Sequence, residues 1–126
     1  MNELKILLAD DRKQFRPGET LQGIAGWRLT AIPRRVDLRL FWYTRGKGTE
    51  DVGVANRIGF EQPQAEEGRR FSFVLPEEPY SFSGQLLSLV WALELVVEPG
   101  AQTTRLEFVL SPSGEEIILH THARAR

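Results

Sequence analysis

Two histidines, His120 and His122, stand two positions apart close to the C-terminal end. On an extended strand that spacing puts both imidazoles on one face, near enough to share a metal ion. No third ligand accompanies them, so they read as solvated side chains, and neither a metal nor any other cofactor is expected. Acidic pairs recur at Asp10/Asp11, Glu50/Asp51, Glu66/Glu67, Glu77/Glu78 and Glu115/Glu116. Hydrolytic carboxylates must converge across a cleft at a set separation. These pairs fall in turns or at strand ends, where charge keeps loops in water. The chain has no cysteine, which excludes thiolate nucleophiles, thiolate metal sites and disulfide scaffolds. No nucleophile-elbow, zincin, P-loop or dinucleotide pattern is present. A Ser–His–Asp arrangement would have to recruit a histidine from the chain end, which is hard to preorganise. No catalytic residue is named, and the protein is expected not to be an enzyme.

The set with more to offer is Arg39, Phe41, Tyr43 and Arg45, every second residue of one apolar segment. Their parity is opposite to that of Val36, Leu38, Leu40 and Trp42. If the latter face a core, the former face outward together. Aromatics flanked by arginines are the composition of a protein-contact hot spot, and these four residues are the expected partner-binding site. The competing reading covers Phe41 and Tyr43 with the loop Glu61–Gly68 or with the last strand.

Nucleic acid is not the expected partner. The 16 basic and 17 acidic residues leave a formal net charge of −1, whereas phosphate-binding domains carry a basic excess. The nearest approach to a basic stripe is Arg34, Arg35, Arg39, Arg45 and Lys47, interrupted by Asp37. The N-terminal MNELKILLADDRK lacks the apolar core and cleavage site of a signal peptide. The longest apolar run, Leu86–Val97, is too short to span a bilayer and contains Ser88 and Glu94. A cytoplasmic setting is therefore expected.

The elements that must position these residues are strands. In Leu86–Val97 every odd position is apolar, the period of two of a strand with one face in a core. Its length makes it a central strand. Phe71–Leu75 precedes it across a Pro-Glu-Glu-Pro linker and a turn at Gly84. Glu3–Ala9 places Leu4, Ile6 and Leu8 on one face. Leu21–Thr30 carries Leu21, Ala25, Trp27 and Leu29 on one parity, with Gly23 and Gly26 marking a bulge or a close backbone approach. Val36–Arg45 turns through Gly46-Lys47-Gly48-Thr49 into a weaker strand, with Val52, Val54, Ile58 and Phe60 inward and Asn56 on the same parity. Glu61–Gly68 reads as a solvated loop. Thr103–Leu110 and Glu116–His122 complete the set. No helical period appears. About eight short strands with turn signals between them predict an all-β, antiparallel two-sheet sandwich. It is expected to be one domain over residues 1–122, with 123–126 as a frayed polar tail.

Three local patterns narrow the choice of sandwich. Phe15-Arg16-Pro17-Gly18-Glu19-Thr20-Leu21-Gln22-Gly23 resembles the approach to the second strand of arrestin-like domains. Phe71-Ser72-Phe73-Val74-Leu75-Pro76 is similar to that family's Phe-x-Phe-x-Leu-Pro strand. Pro79-Tyr80-Ser81-Phe82-Ser83-Gly84, followed by Ser88–Leu95, resembles its Pro-Ser-Phe/Tyr-x-Gly segment and the strand after it. The order and spacing match over most of Leu4–Leu110. The resemblance implies an immunoglobulin-like/arrestin-like sandwich that scaffolds, sorts or regulates other proteins and is not an enzyme. Better-known members pair two such sandwiches, and this chain has length for one.

The reading that follows is a non-enzymatic interaction module, of scaffold or adaptor type, binding a partner protein or a second copy of itself. It would do so through the Arg39–Arg45 face and through an edge strand, Leu4–Leu8 or Ile117–His122. The alternative is a carbohydrate- or small-ligand-binding sandwich with Trp27, Tyr43 or Tyr80 as stacking platforms. A hydrolase with an unrecognised carboxylate site is a third.

Overall fold

A computed structural model describes residues 2–46, 48 and 50–119. The strands are β1 (Glu3–Leu8), β2 (Gln14–Phe15), β3 (Thr20–Arg28), β4 (Arg35–Gly46), β5 (Val52–Phe60), β6 (Glu66–Val74), β7 (Phe82–Ser83), β8 (Leu87–Glu98), β9 (Gln102–Leu110) and β10 (Ile117–Ile118). They form two sheets. One has the order β1-β3-β6; the other runs β10-β7-β8-β4-β5, with β9 also on β8 and β2 on β9. Every pairing between long strands is antiparallel. The two-residue contacts β2–β9 and β10–β7 are parallel. The protein is an all-β two-sheet sandwich of immunoglobulin-like/arrestin-like architecture.

The alternating apolar set of β8 does what its period requires. Leu89, Trp91, Leu93, Leu95 and Val97 are buried, and Leu87 alone is exposed because it pairs with Gly46 beyond the end of the core. Val36, Leu38 and Leu40 of β4 meet them across the register. Ile6, Leu8, Leu21, Ala25, Trp27, Phe71 and Phe73 fill the space from the other sheet. The two core indoles are paired: the N–H of Trp91 donates to the Pro79 carbonyl at 2.8 Å, and that of Trp27 to the Gln64 carbonyl at 2.8 Å.

The three sequence patterns converge in space. Gly18, with φ at +82°, donates its N–H to the Leu75 carbonyl at 3.0 Å, and the Leu75 N–H donates to the Glu19 carbonyl at 2.9 Å. The Pro-Gly turn and the end of the Phe-x-Phe-x-Leu-Pro strand are therefore one hydrogen-bonded unit. Buried Ser81 closes the other side: its N–H donates to the Leu110 carbonyl at 2.7 Å, and its Oγ accepts the Leu110 N–H at 2.9 Å.

Two expectations need correction, at β5 and at Glu66–Gly68, and two are narrowed. The β4–β5 ladder slips between Leu40 and Phe41, leaving Ala55 as an extra residue on β5. A bulge of this kind reverses the side-chain parity beyond it. Ile58 and Phe60 thus face inward, whereas Val52 and Val54 pair with Tyr43 and Phe41 on the outer face and are exposed. Glu66–Gly68 is not loop but the first part of β6. At Gly23 the answer is close approach, not a bulge: the β1–β3–β6 register is unbroken there, and a Cβ would lie 2.0 Å from the Leu7 carbonyl oxygen. The last strand is only Ile117–Ile118 among the described residues, and His120 and His122 lie outside them.

Candidate functional site

The outer face of the β5-β4-β8-β9 sheet is built from cross-strand rows. One row runs Arg57, Arg39, Glu94, Arg105; the next runs Val54, Phe41, Ala92, Glu107. All four residues expected at the partner site point to this side, but they are not equally available. Phe41 is 4% exposed. Among the described residues, side chains of its own sheet lie over it. The Arg105 guanidinium carbon lies 5.0 Å from its ring centre and that of Arg39 5.7 Å, while Tyr43 stacks beside it at 5.8 Å between centroids. A guanidinium lies flat on an aromatic face because its charge meets the negative face of the ring. Tyr43 is half-buried and Arg45 exposed.

Glu94 holds this layer together. It is buried and accepts hydrogen bonds from Arg39 on one oxygen and from Arg105 Nη2 at 3.2 Å on the other. Neither Glu94 nor Arg105 is among the four residues expected at the site. Glu94 was visible as a charge inside the longest apolar run, which is the signal of a paired carboxylate on a sheet face. Arg39 Nε is buried without a partner. A second cluster closes the row's end: the Tyr43 hydroxyl donates to Glu107 Oε2 at 2.7 Å and accepts from Arg45 Nη2 at 2.7 Å, and Arg45 also reaches Glu107 Oε2 at 2.7 Å. The Tyr43 oxygen, and then Glu107, hold the Arg45 guanidinium above its usual pKa. For Arg105, partial burial opposes the charge, but Glu94 and Tyr43 outweigh it and the net shift is upward. Both arginines are permanent cations at any physiological pH.

The face therefore has a packed aromatic layer, a charged surface above it, and an open apolar end. Val52 is 65% and Val54 55% exposed. Gly53 between them lies under the indole of Trp42, half-buried on the opposite side of the sheet.

The residues named for a sugar site do not gather. Trp27 is in the core, with its ring 5.7 Å from that of Phe60. It was misplaced as a platform because its parity with Leu21 and Ala25 is the buried one. The Tyr43 hydroxyl is committed to Glu107 and Arg45. Tyr80 is exposed, beside Pro79, Phe82, Ile117 and Leu119. The acidic pairs do not converge either: Glu66 pairs with Arg28 and Glu67 with Arg69. Among the described residues no group of three histidine, aspartate or glutamate side chains could hold a metal ion. No helix there is long and apolar enough to cross a membrane. Of the expected edges, β1 ends the smaller sheet and β10 one side of the larger; β6, β5 and the part of β9 before Val109 are edges as well.

No family model and no curated protein matches the sequence. Among solved structures, the sporulation control protein Spo0M from Bacillus subtilis superposes with a TM-score of 0.61 at 18% identity, over 86% of this chain and 49% of Spo0M. A β-glucosidase from Listeria innocua matches at 0.47 and 17% identity, over 87% of this chain and 16% of the enzyme. The alkylpurine DNA glycosylase AlkC from Pseudomonas fluorescens, bound to abasic-site DNA, matches at 0.46 and 11% identity, over 86% and 30%. The chain spans about half the length of Spo0M, and what the two share is the arrestin-like sandwich fold.

Proposed function

We propose that this chain is a non-enzymatic interaction module of the arrestin-like family, and that its contact surface is the outer face of β5, β4, β8 and β9. The observation that carries this reading is the juxtaposition of exposed Val52 and Val54 with Tyr43 and the ion-paired Arg39, Arg45 and Arg105. An apolar spot rimmed by fixed arginines and an aromatic is what a protein-contact hot spot needs. The arginines are already ordered by Glu94, Glu107 and the rings beneath them, so a partner would pay little side-chain entropy to meet them. Phe41 acts as the floor of the surface rather than as a contact. The likeness to a protein named for sporulation control fits a regulatory task without fixing the partner.

Site-specific photo-cross-linking tests the reading. A photoreactive residue at position 43 or 54 is expected to give one discrete adduct in cells, and the same residue at position 24, on the outer face of the smaller sheet, none. Equal labelling from both faces, or none from position 43 or 54, contradicts it.

A further inference from the structure

β5 is an edge of the larger sheet, and six of its nine residues are exposed. We infer that this edge takes an extended partner segment as an added strand, with a carboxylate of that segment beside Arg57 and two alternate apolar residues beside Val54 and Val52. The inference rests on the contact face proposed above and names the chemistry of what binds it.

Charge supplies the first argument. Arg39 and Arg57 are directly opposite each other in the ladder, a like-charge pairing that costs stability. Glu94 is the carboxylate of that row, and it is shared by Arg39 and Arg105. Three guanidiniums thus stand in line with one acid. The nearest acid to Arg57 is Asp37, at 3.9 Å, and Asp37 is closer to Arg35 Nε, at 3.2 Å. A strand added about 4.8 Å outside β5 puts its side chain next to Arg57, where a carboxylate extends the row with the missing sign. At the other end of β5 the sign reverses, because Glu50 and Asp51 precede Val52. An acidic residue is favoured at one end only, which fixes the direction: in an antiparallel segment the acid comes before the apolar pair.

Backbone geometry supplies the second. The Thr44 N–H donates to the Asp51 carbonyl at 2.9 Å. The alternation of an antiparallel ladder then turns the N–H and C=O of Val52 and Val54 away from β4, toward open solvent. The bulge at Ala55, ordinarily a guard against edge pairing, leaves this stretch regular. The Arg57 N–H is already taken by Asn56 Oδ1 at 2.8 Å, so Arg57 contributes its side chain and the Val52–Val54 stretch contributes the main-chain bonds. On β6, another long edge, the acids are already paired within the smaller sheet, Glu66 with Arg28 and Glu67 with Arg69.

The test titrates the full chain with the peptide Ser-Thr-Glu-Thr-Val-Thr-Val-Thr-Ser and with its counterpart carrying Lys for Glu, read by backbone amide NMR. The Glu peptide is expected to shift amides of Val52–Gly59, and the Lys peptide to leave them in place. Arg57→Gln should weaken binding by about ten-fold, the loss of one charge pair. Val54→Pro, which removes an outward N–H that β4 does not use, should abolish it, with the unfolding midpoint of each variant confirming the fold. Shifts centred on β1 or β6, equal affinity for both peptides, or no binding overturn the inference. So does sedimentation showing a dimer whose β5 amides are already protected, because a second copy then holds the edge. Loss of the edge shifts while cross-linking from positions 43 and 54 persists removes strand addition alone; loss of both removes the face as well.

Discussion

Gly53 lies flat against the indole of Trp42: a Cβ at position 53 would stand 2.3 Å from the ring. The two residues are cross-strand partners in the β4–β5 ladder. The glycine is what allows a ring that large to cross the edge strand, so the packing of Trp42 and the outward turn of Val52 and Val54 depend on each other. Gly53→Ala should displace Trp42 and cost about 1–3 kcal/mol, the usual cost of overpacking. A lowered denaturation midpoint with a shifted tryptophan emission checks it; an unchanged spectrum counts against the mutual dependence.

Glu94→Gln removes the charge that two arginines share over Phe41 while keeping the side chain's shape. Charge-assisted hydrogen bonds of this kind contribute about 1.5–3 kcal/mol, and the arginines are partly solvated, so a loss of about 2 kcal/mol is expected. Urea unfolding with an unchanged m-value measures it. Glu94→Gln with wild-type stability would show that the arginines order themselves without it.

Ser81→Ala leaves the Leu110 N–H without its acceptor in a fully buried site. An orphaned buried donor costs about 1–3 kcal/mol. Amide exchange at Leu110 should accelerate more than at Leu93, which keeps its ladder partners.

Glu19 and Glu67 contribute to the acid limb of stability. Glu19 accepts the Arg16 backbone N–H at 2.6 Å and the Arg12 guanidinium at 2.5 Å, which lower its pKa below 4.5. Glu67 is lowered by Arg69, at 2.6 Å, and by the Gln64 N–H. A carboxyl with a depressed folded-state pKa stabilises the fold above its unfolded value, and that contribution disappears as pH falls through the folded one. Stability should therefore decline on acidification below about pH 4.5, and Glu19→Gln plus Glu67→Gln should flatten that decline while leaving the shape of the curve above pH 6 unaltered. A variant with an undiminished acid limb contradicts the assignment.

The sandwich was legible because its evidence is local. Leu89 to Val97 alternate without interruption, and the Pro-Gly-Glu and Phe-x-Phe-x-Leu-Pro patterns lie where the two strands that carry them bond to each other. The site was half legible. Parity placed Arg39, Phe41, Tyr43 and Arg45 on one face, but it could not show that Arg105, brought beside them only by the β8–β9 pairing, covers Phe41. Nor could it detect the extra residue at Ala55. Val52, Val54, Ile58 and Phe60 are all even-numbered, so a reading by alternation puts them on one side, and only the ladder slip moves the two valines outward. Trp27 fails as a sugar platform because its own parity, shared with Leu21 and Ala25, is the buried one.

The most direct measurement takes the partner isolated by cross-linking and compares its affinity for three folded forms: the unmodified chain, Tyr43→Ala plus Val54→Asp, and Ile24→Asp on the opposite sheet. The account predicts at least about a hundred-fold loss for the first variant, as for removal of a hot-spot pair, and little change for the second. Unaltered affinity after Tyr43→Ala plus Val54→Asp, with binding abolished by Ile24→Asp, would place the contact on the other side of the molecule.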